Sequence, residues 1–353
     1  MKLTGLITVC CMIFGSLALT AQDQHFKLFD FAPITINPAN SGNYEGTYRI
    51  GGIYRDQWKA LNRNGMDRNN DGAFRTPMLY VDAPLLAIGK KGWLGAGFGA
   101  LADVAGTAQQ QTTSFLLSAA YHHEVNRKKN TVMSIGLQGG ARNRSFRAFD
   151  NFTSEEDIRN PDGTGQIDEA TNAFMNDANA SDFVINAGVN FRTNIDKRNS
   201  VGFGLGVLNI NSPTNSAEDP EPNIDGIGVP LRINFTANYA TQFTDKWTLQ
   251  PQIIFSGMQG GNETVLQVWG EYLFNEEKAV DLRFGVGHRL GRDIHPLLGI
   301  NVGQLRAAVG YDLRMGDLGN NLNSRGGFEV AVGYTGVIFK KPDVPPVIFC
   351  PQL

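Results

Sequence analysis

One feature constrains this chain more than any other: short runs with a strict period of two recur along nearly its whole length. From Leu305 to Arg314, the residues Leu305, Ala307, Val309, Tyr311 and Leu313 alternate with Arg306, Ala308, Gly310, Asp312 and Arg314. In an extended strand this puts an apolar set on one face and a charged or tiny set on the other. The next arm repeats it, with Phe328, Val330, Val332 and Tyr334 against Glu329, Ala331, Gly333 and Thr335. Similar runs fall at roughly 47–58, 77–88, 92–103, 111–123, 131–144, 182–193, 200–209, 230–241, 247–257, 263–274, 279–289, 294–302, 304–314 and 326–339, about fourteen in all. After residue 21 no stretch approaches the ~20 apolar residues that a membrane helix needs. A chain with this pattern can still cross a bilayer as a closed barrel, which hides its hydrophobicity in the alternation. The predicted fold is an all-β, antiparallel, up-and-down transmembrane barrel of about fourteen strands in an outer membrane, its oily faces turned to lipid.

Connection lengths test this independently, because bacterial barrels pair short periplasmic turns with longer external loops. Counting from the first run, the odd connections are mostly long: 59–76, 104–110, 145–181, 210–229 and 315–325, with 258–262 and 290–293 as shorter members. The even ones are short, as in Gly89-Lys-Lys-Gly92, Phe243-Thr-Asp-Lys246 and Asn275-Glu-Glu-Lys278. An even strand number then predicts that both termini are periplasmic in a Gram-negative bacterium. Residues 1–21 read as a cleavable signal peptide, with an apolar run to Leu19 and then Thr20-Ala21. Residues 22–46, broken by Pro33, Pro38 and Gly42, are too irregular for a lipid-facing strand. They are expected as a periplasmic or plug-like lead-in that folds into or under the mouth of a barrel spanning 47–340. Residues 341–353 are expected to form a periplasmic tail.

Composition excludes several classes. With a net charge of -3 there is no basic excess to hold nucleic acid. Cys10 and Cys11 fall in the signal peptide, which leaves Cys350 alone and rules out a disulfide framework. The barrel interior is expected to be of mixed sign, lined by Arg49, Arg55, Arg283, Arg306, Asp312, Glu271 and Glu329 among others. Fourteen strands lie between the eight that side chains can fill and the 16–18 that leave an aqueous channel. Paired charges could close such a lumen or line a narrow pore, and the closed or plugged form is the expectation. Heavy inner-face glycine, as at Gly202, Gly204 and Gly206, predicts close packing or bulges inside.

No Gly-x-Ser-x-Gly motif, phosphate loop or zinc-binding helix is present, and no enzyme activity is expected. Asp67, Asn69 and Asp71, with Gly72, have the cadence of the first half of a calcium loop, but the twelfth position is Met78 rather than a bidentate Glu. Residues 160–171 are similar, ending on Thr171. Polar Asn/Asp/Gly segments are also ordinary turn chemistry, so calcium stays open and no other cofactor is implied. His122 and His123 are consecutive and should point to opposite faces. His288 and His295 are placed to approach one another across a hairpin. Charge pairs such as Glu271 or Asp281 with a neighbouring Arg are expected to be ion pairs. Trp58, Trp93, Trp247 and Trp269, with Tyr54, Tyr121, Tyr239 and Tyr272, are assigned to aromatic girdles.

Ile36-Asn-Pro-Ala-Asn-Ser-Gly42, followed by Tyr48-Arg-Ile-Gly-Gly-Ile-Tyr-Arg-Asp-Gln-Trp58, resembles the opening of the PorP/SprF family of type IX secretion system outer-membrane proteins. Val81-Asp-Ala-Pro-Leu85, Tyr311-Asp312 with Gly327-Phe-Glu329, and Cys350-Pro351 extend the likeness over almost the whole mature chain. Asn40 stands where that family usually has an aromatic residue and Gln352 where it has a basic one, and the 59–76 and 145–181 loops look enlarged. The resemblance implies an outer-membrane barrel that helps export or anchor a secreted surface protein, often an adhesin of gliding bacteria, together with periplasmic type IX components. A porin or small-solute uptake channel is the alternative.

Overall fold

The computed structural model describes residues 26–57, 74–105, 110–126, 128, 130–146, 180–212, 230–258, 261–315 and 325–338. Within them lie fourteen strands: β1 (Tyr48–Gln57), β2 (Phe74–Ile88), β3 (Gly92–Ala105), β4 (Gln110–Asn126), β5 (Thr131–Phe146), β6 (Ala180–Asn194), β7 (Asn199–Leu208), β8 (Arg232–Gln242), β9 (Trp247–Met258), β10 (Gly261–Asn275), β11 (Val280–Arg289), β12 (Asp293–Val302), β13 (Leu305–Arg314) and β14 (Arg325–Gly336). Each pairs antiparallel with its sequence neighbours, and β1 closes on β14, from Tyr48 opposite Gly336 to Asp56 opposite Phe328. The alternating runs all become strands, most within three residues of the expected limits. β3 and β4 run longer than expected, so the connection between them is only residues 106–109.

The faces divide as the alternation requires. Val309, Tyr311 and Leu313 are exposed on the outside of the ring, while Gly310 and Asp312 between them are buried inside. On β4, Leu117 is 68% exposed and Ser118 only 6%, although they are adjacent. This is an inverted globular arrangement, with side chains such as Leu79, Leu117, Leu137 and Phe183 facing outward all round the barrel. It is stable only where the surroundings are hydrocarbon. No helix of the described residues is long and apolar enough to cross a membrane, so the strands do the crossing.

The segment before β1 lies inside the ring. Leu28, Phe31, Ala32, Ile34 and Ala39 are buried to 2% exposure or less, packed in part against Ile53, Met78, Tyr80, Trp269, Leu297 and Ala331 of the inner wall. It contains a 3-10 turn (Phe29–Phe31), a single helical turn (Pro33–Ile36) and a second 3-10 turn (Pro38–Asn40). Pro33 and Pro38 each sit at the start of a turn, where their missing N–H costs nothing, and the Asn37 side chain accepts from the Ala39 N–H. The lumen is therefore apolar as well as charged on the side that receives this plug. Alternation predicts charged or small residues there; large apolar ones such as Met78 and Leu297 are found because a second piece of chain, not water, faces them.

Inner-face glycines let the plug approach the strands. Gly136 lies directly under the Ala39 backbone and Gly188 under the Asn37 amide, and a methyl group at either would overlap those atoms. Of the β7 glycines, Gly206 faces the Ile36 carbonyl, whereas Gly202 and Gly204 make room for Asn238 and Thr236 of β8. Two outcomes follow. Leu117→Arg, near the middle of β4 on the lipid face, should destabilise the barrel in bilayers by about 2–4 kcal/mol, measurable by urea unfolding in vesicles. Gly136→Val should lift the plug without opening the ring; a cysteine at Ala39 should then react with maleimide, while the same cysteine in the Gly136 background stays protected.

Candidate functional site

Three polar clusters fasten the plug. The first lies in the half of the barrel nearer the long connections. Glu329 of β14, fully buried, accepts from the Lys27 N–H at 2.9 Å and from the Leu28 N–H at 3.0 Å. The Lys27 ammonium is 2.8 Å from Asp312 and 3.5 Å from Glu329, and Arg55 of β1 is 3.4 Å from the same carboxylate. Burial holds the Lys27 ammonium below the ordinary lysine range, against the opposing pull of Glu329 and Asp312. Asp293, His295 and Asp312 also meet here, all buried, with ligand-type atoms within 4.8 Å of one another. That geometry would suit a cation, but the electrostatics do not: Arg289 lies 3.5 Å from Asp293 and Lys27 already pairs with Asp312. The carboxylates are neutralised by bases of the protein itself.

The second cluster sits at the short-turn end. Asp82 of β2 accepts a forked pair of hydrogen bonds from Arg49 at 2.9 and 2.8 Å and takes the Gly42 N–H at 2.8 Å. Arg49 also covers the Tyr44 ring, 4.4 Å from its centroid. Burial, and then the nearby Asp82 carboxylate, push the Tyr44 hydroxyl above its ordinary range. Trp93 donates to the Gly42 carbonyl at 3.0 Å and stacks on His122, whose Nε2 is 2.8 Å from the Ser41 carbonyl. The third cluster is central: Asp30 of the plug is 3.0 Å from Arg306 and 3.5 Å from Arg283, and Arg283 pairs with Glu271 at 2.7 Å while lying over Trp269. Between the clusters, Gln138 donates to the Ile34 carbonyl at 3.1 Å and Asn234 to the Ile36 carbonyl at 3.0 Å. These contacts satisfy an irregular backbone that runs where strand pairing cannot reach it.

Several sequence expectations change here. His288 and His295 do not converge: His288 pairs opposite Ile294 and His295 opposite Gly287, so strand alternation turns the rings to opposite faces. Trp93 and Trp269 are lumen residues rather than girdle residues, since each sits at an inward position and its indole is used by the plug or by Arg283. Trp247 does belong to an outer aromatic group, 4.9 Å from Tyr272 and 6.4 Å from Phe243 at the short-turn end. His122 and His123 face opposite ways as expected, one buried and one exposed. Glu271 is ion-paired with Arg283 as expected. Asp67, Asn69 and Asp71, the 160–171 stretch, Trp58 and Cys350 lie outside the described residues. The role of Ile34 and Phe31 as lumen anchors had one readable sign, an apolar cluster in a segment too broken to be a strand.

The model for the type IX secretion system membrane protein PorP/SprF matches residues 18–334, which takes in the plug and all but the end of β14. The chain belongs to the PorP/SprF family. Among solved structures it is similar to the toluene transporter TbuX of Ralstonia pickettii, with a TM-score of 0.52, 11% identity and 88% of this chain matched to 94% of that one. It is also similar to a deletion mutant of the monoaromatic hydrocarbon channel TodX, with a TM-score of 0.50, 10% identity and the same coverage, 88% and 94%. At such identity the likeness establishes the outer-membrane barrel fold. Comparison with curated proteins finds no significant match.

Magnitudes separate what holds the plug from what aligns it. Each fully buried Leu or Ile contributes about 1.5–3 kcal/mol, so Leu28 and Ile34 supply most of the attachment. Buried ion pairs roughly break even against their desolvation, but removing one partner leaves a charge stranded at a cost of about 3–5 kcal/mol. Glu329→Ala should therefore destabilise far more than removal of either partner of the exposed Arg198–Asp245 pair, a change on the scale of about 0–1 kcal/mol. A loss near 3 kcal/mol or more in urea unfolding of the refolded protein is expected, and a change under 1 kcal/mol would remove Glu329 as the anchor.

Proposed function

We propose that this member of the family is a non-catalytic outer-membrane barrel that supports export or surface anchoring of a partner protein, such as an adhesin, within the type IX system. The observation that carries this reading is the occupied lumen. With the 26–46 segment packed across the ring, there is no bore through which a folded protein could pass, so the barrel works as a platform and not as the conduit. The long connections are assigned to the cell exterior, where they would meet the surface partner. The short turns and the tail at 341–353 are assigned to the periplasm, where they would meet other type IX components. The first described residues, Phe26 and Lys27, lie in the half of the barrel nearer the long connections, where Lys27 meets Glu329.

A diffusion channel is the rival reading, and the same plug counts against it. Deleting the gene, with complementation by the intact chain, tests the proposal directly. The partner should be absent from the cell surface in the deletion strain and restored by the complemented one, as read by surface proteolysis and whole-cell immunolabelling. Undiminished display of every secreted surface protein would end this reading.

A further inference from the structure

The plug does not fill the lumen evenly. It leans on β3 to β6 on one side and on β1 and β14 on the other. Against β8 and β9 it leaves two cavities. One, of about 290 Å³, lies in the short-turn half and is walled by Thr236 and Asn238 of β8 and by Gln250 and Gln252 of β9. The other, of about 120 Å³, lies in the opposite half and is walled by Asn234 and Ser256 of the same two strands. Each has room for several water molecules, and each offers them polar partners. The two cavities have Phe29 and Ile36 of the plug as common walls.

We propose that β8 and β9 line a latent route for small hydrated ions and neutral polar solutes, shut by the side chains of Phe29 and Ile36. Its reading as latent rests on the closed lumen argued above. The strand wall is a ladder of amides and hydroxyls, able to replace part of a solute's hydration on either side of the constriction. Phe29 and Ile36 interrupt that ladder with two apolar groups, and an apolar constriction of this kind bars ions by excluding water. Ile36 is held in place through its own backbone: Asn234 donates to its carbonyl at 3.0 Å and accepts from Ser256 at 2.6 Å, and Ser256 accepts in turn from Arg232 at 2.7 Å. The gate is thus tied to the wall it obstructs. Arg142, Arg232 and Glu263 also line the smaller cavity, and Asp30, paired with Arg306, lines the larger, so the route carries charge of both signs and should discriminate little between anions and cations.

The test uses the full mature chain in planar phosphatidylcholine bilayers under potassium chloride. The intact protein should be silent, and the double variant Phe29→Ala/Ile36→Ala should show steady openings, at least tenfold above the intact protein in mean current. In that double variant, Gln252→Cys treated with a charged methanethiosulfonate should lose at least half of the current, whereas Leu117→Cys on the lipid face should lose none. Heat-modifiable mobility shows that each barrel is folded, and an Ala39→Cys probe shows whether the plug remains seated. A folded double variant as silent as the intact protein would overturn the proposal. So would a current indifferent to the Gln252→Cys reagent, or one that appears only with Ala39→Cys labelled, since the whole plug would then have left. An intact protein that already conducts equally would remove the gate, and it would separately count against the platform reading; failure of surface display alone would leave the gate standing.

Discussion

Every backbone N–H and C=O in a hydrocarbon layer must find a partner within the protein, and the rest of this structure depends on that requirement. A strand alone cannot meet it, since half of its groups face sideways. Fourteen strands meet it only by closing, which is what the β1–β14 register achieves. Closure dictates the outward apolar face, because the ring has just one dry neighbour, the lipid. It also creates a difficulty, for a ring of this size encloses more space than its own side chains can fill.

The N-terminal segment resolves that difficulty with two kinds of interaction. Leu28, Phe31 and Ile34 supply attachment by burying apolar surface against Ile53, Met78 and Leu297. Glu329, Asp82 and Asp30 supply position, each accepting from or pairing with a small set of groups that fit in one register only. The division follows from energetics: buried ion pairs return little net stability but penalise any displacement that separates them. A plug built this way is firmly seated yet specified by few residues, and the family resemblance at Asn37-Pro38-Ala39 falls on the part that lies closest to the inner-face glycines.

The membrane-facing half of the molecule and its secretory role are joined by this arrangement. On the proposed reading, a filled lumen leaves the long connections and short turns as the surfaces that engage partners on two sides. Among the described residues, the plug fits least closely along β8 and β9, where the two cavities lie.

Alternation by itself determined the strand number, the direction of each face and the distribution of long and short connections, because side-chain direction in a strand depends on nothing beyond parity. It also put Glu271 and Arg283 on the inner face and turned His122 away from His123. What only the tertiary structure decided was the content of the lumen. Trp93 and Trp269 look like girdle residues until a plug gives their indoles a partner, and His288 looks able to reach His295 until the register sets them back to back. The plug has no period to read, and its contacts join Lys27 to Glu329 or Ser41 to His122, residues far apart in sequence; such pairs are fixed by closure of the ring and by the space it leaves, neither of which is a local property of the chain.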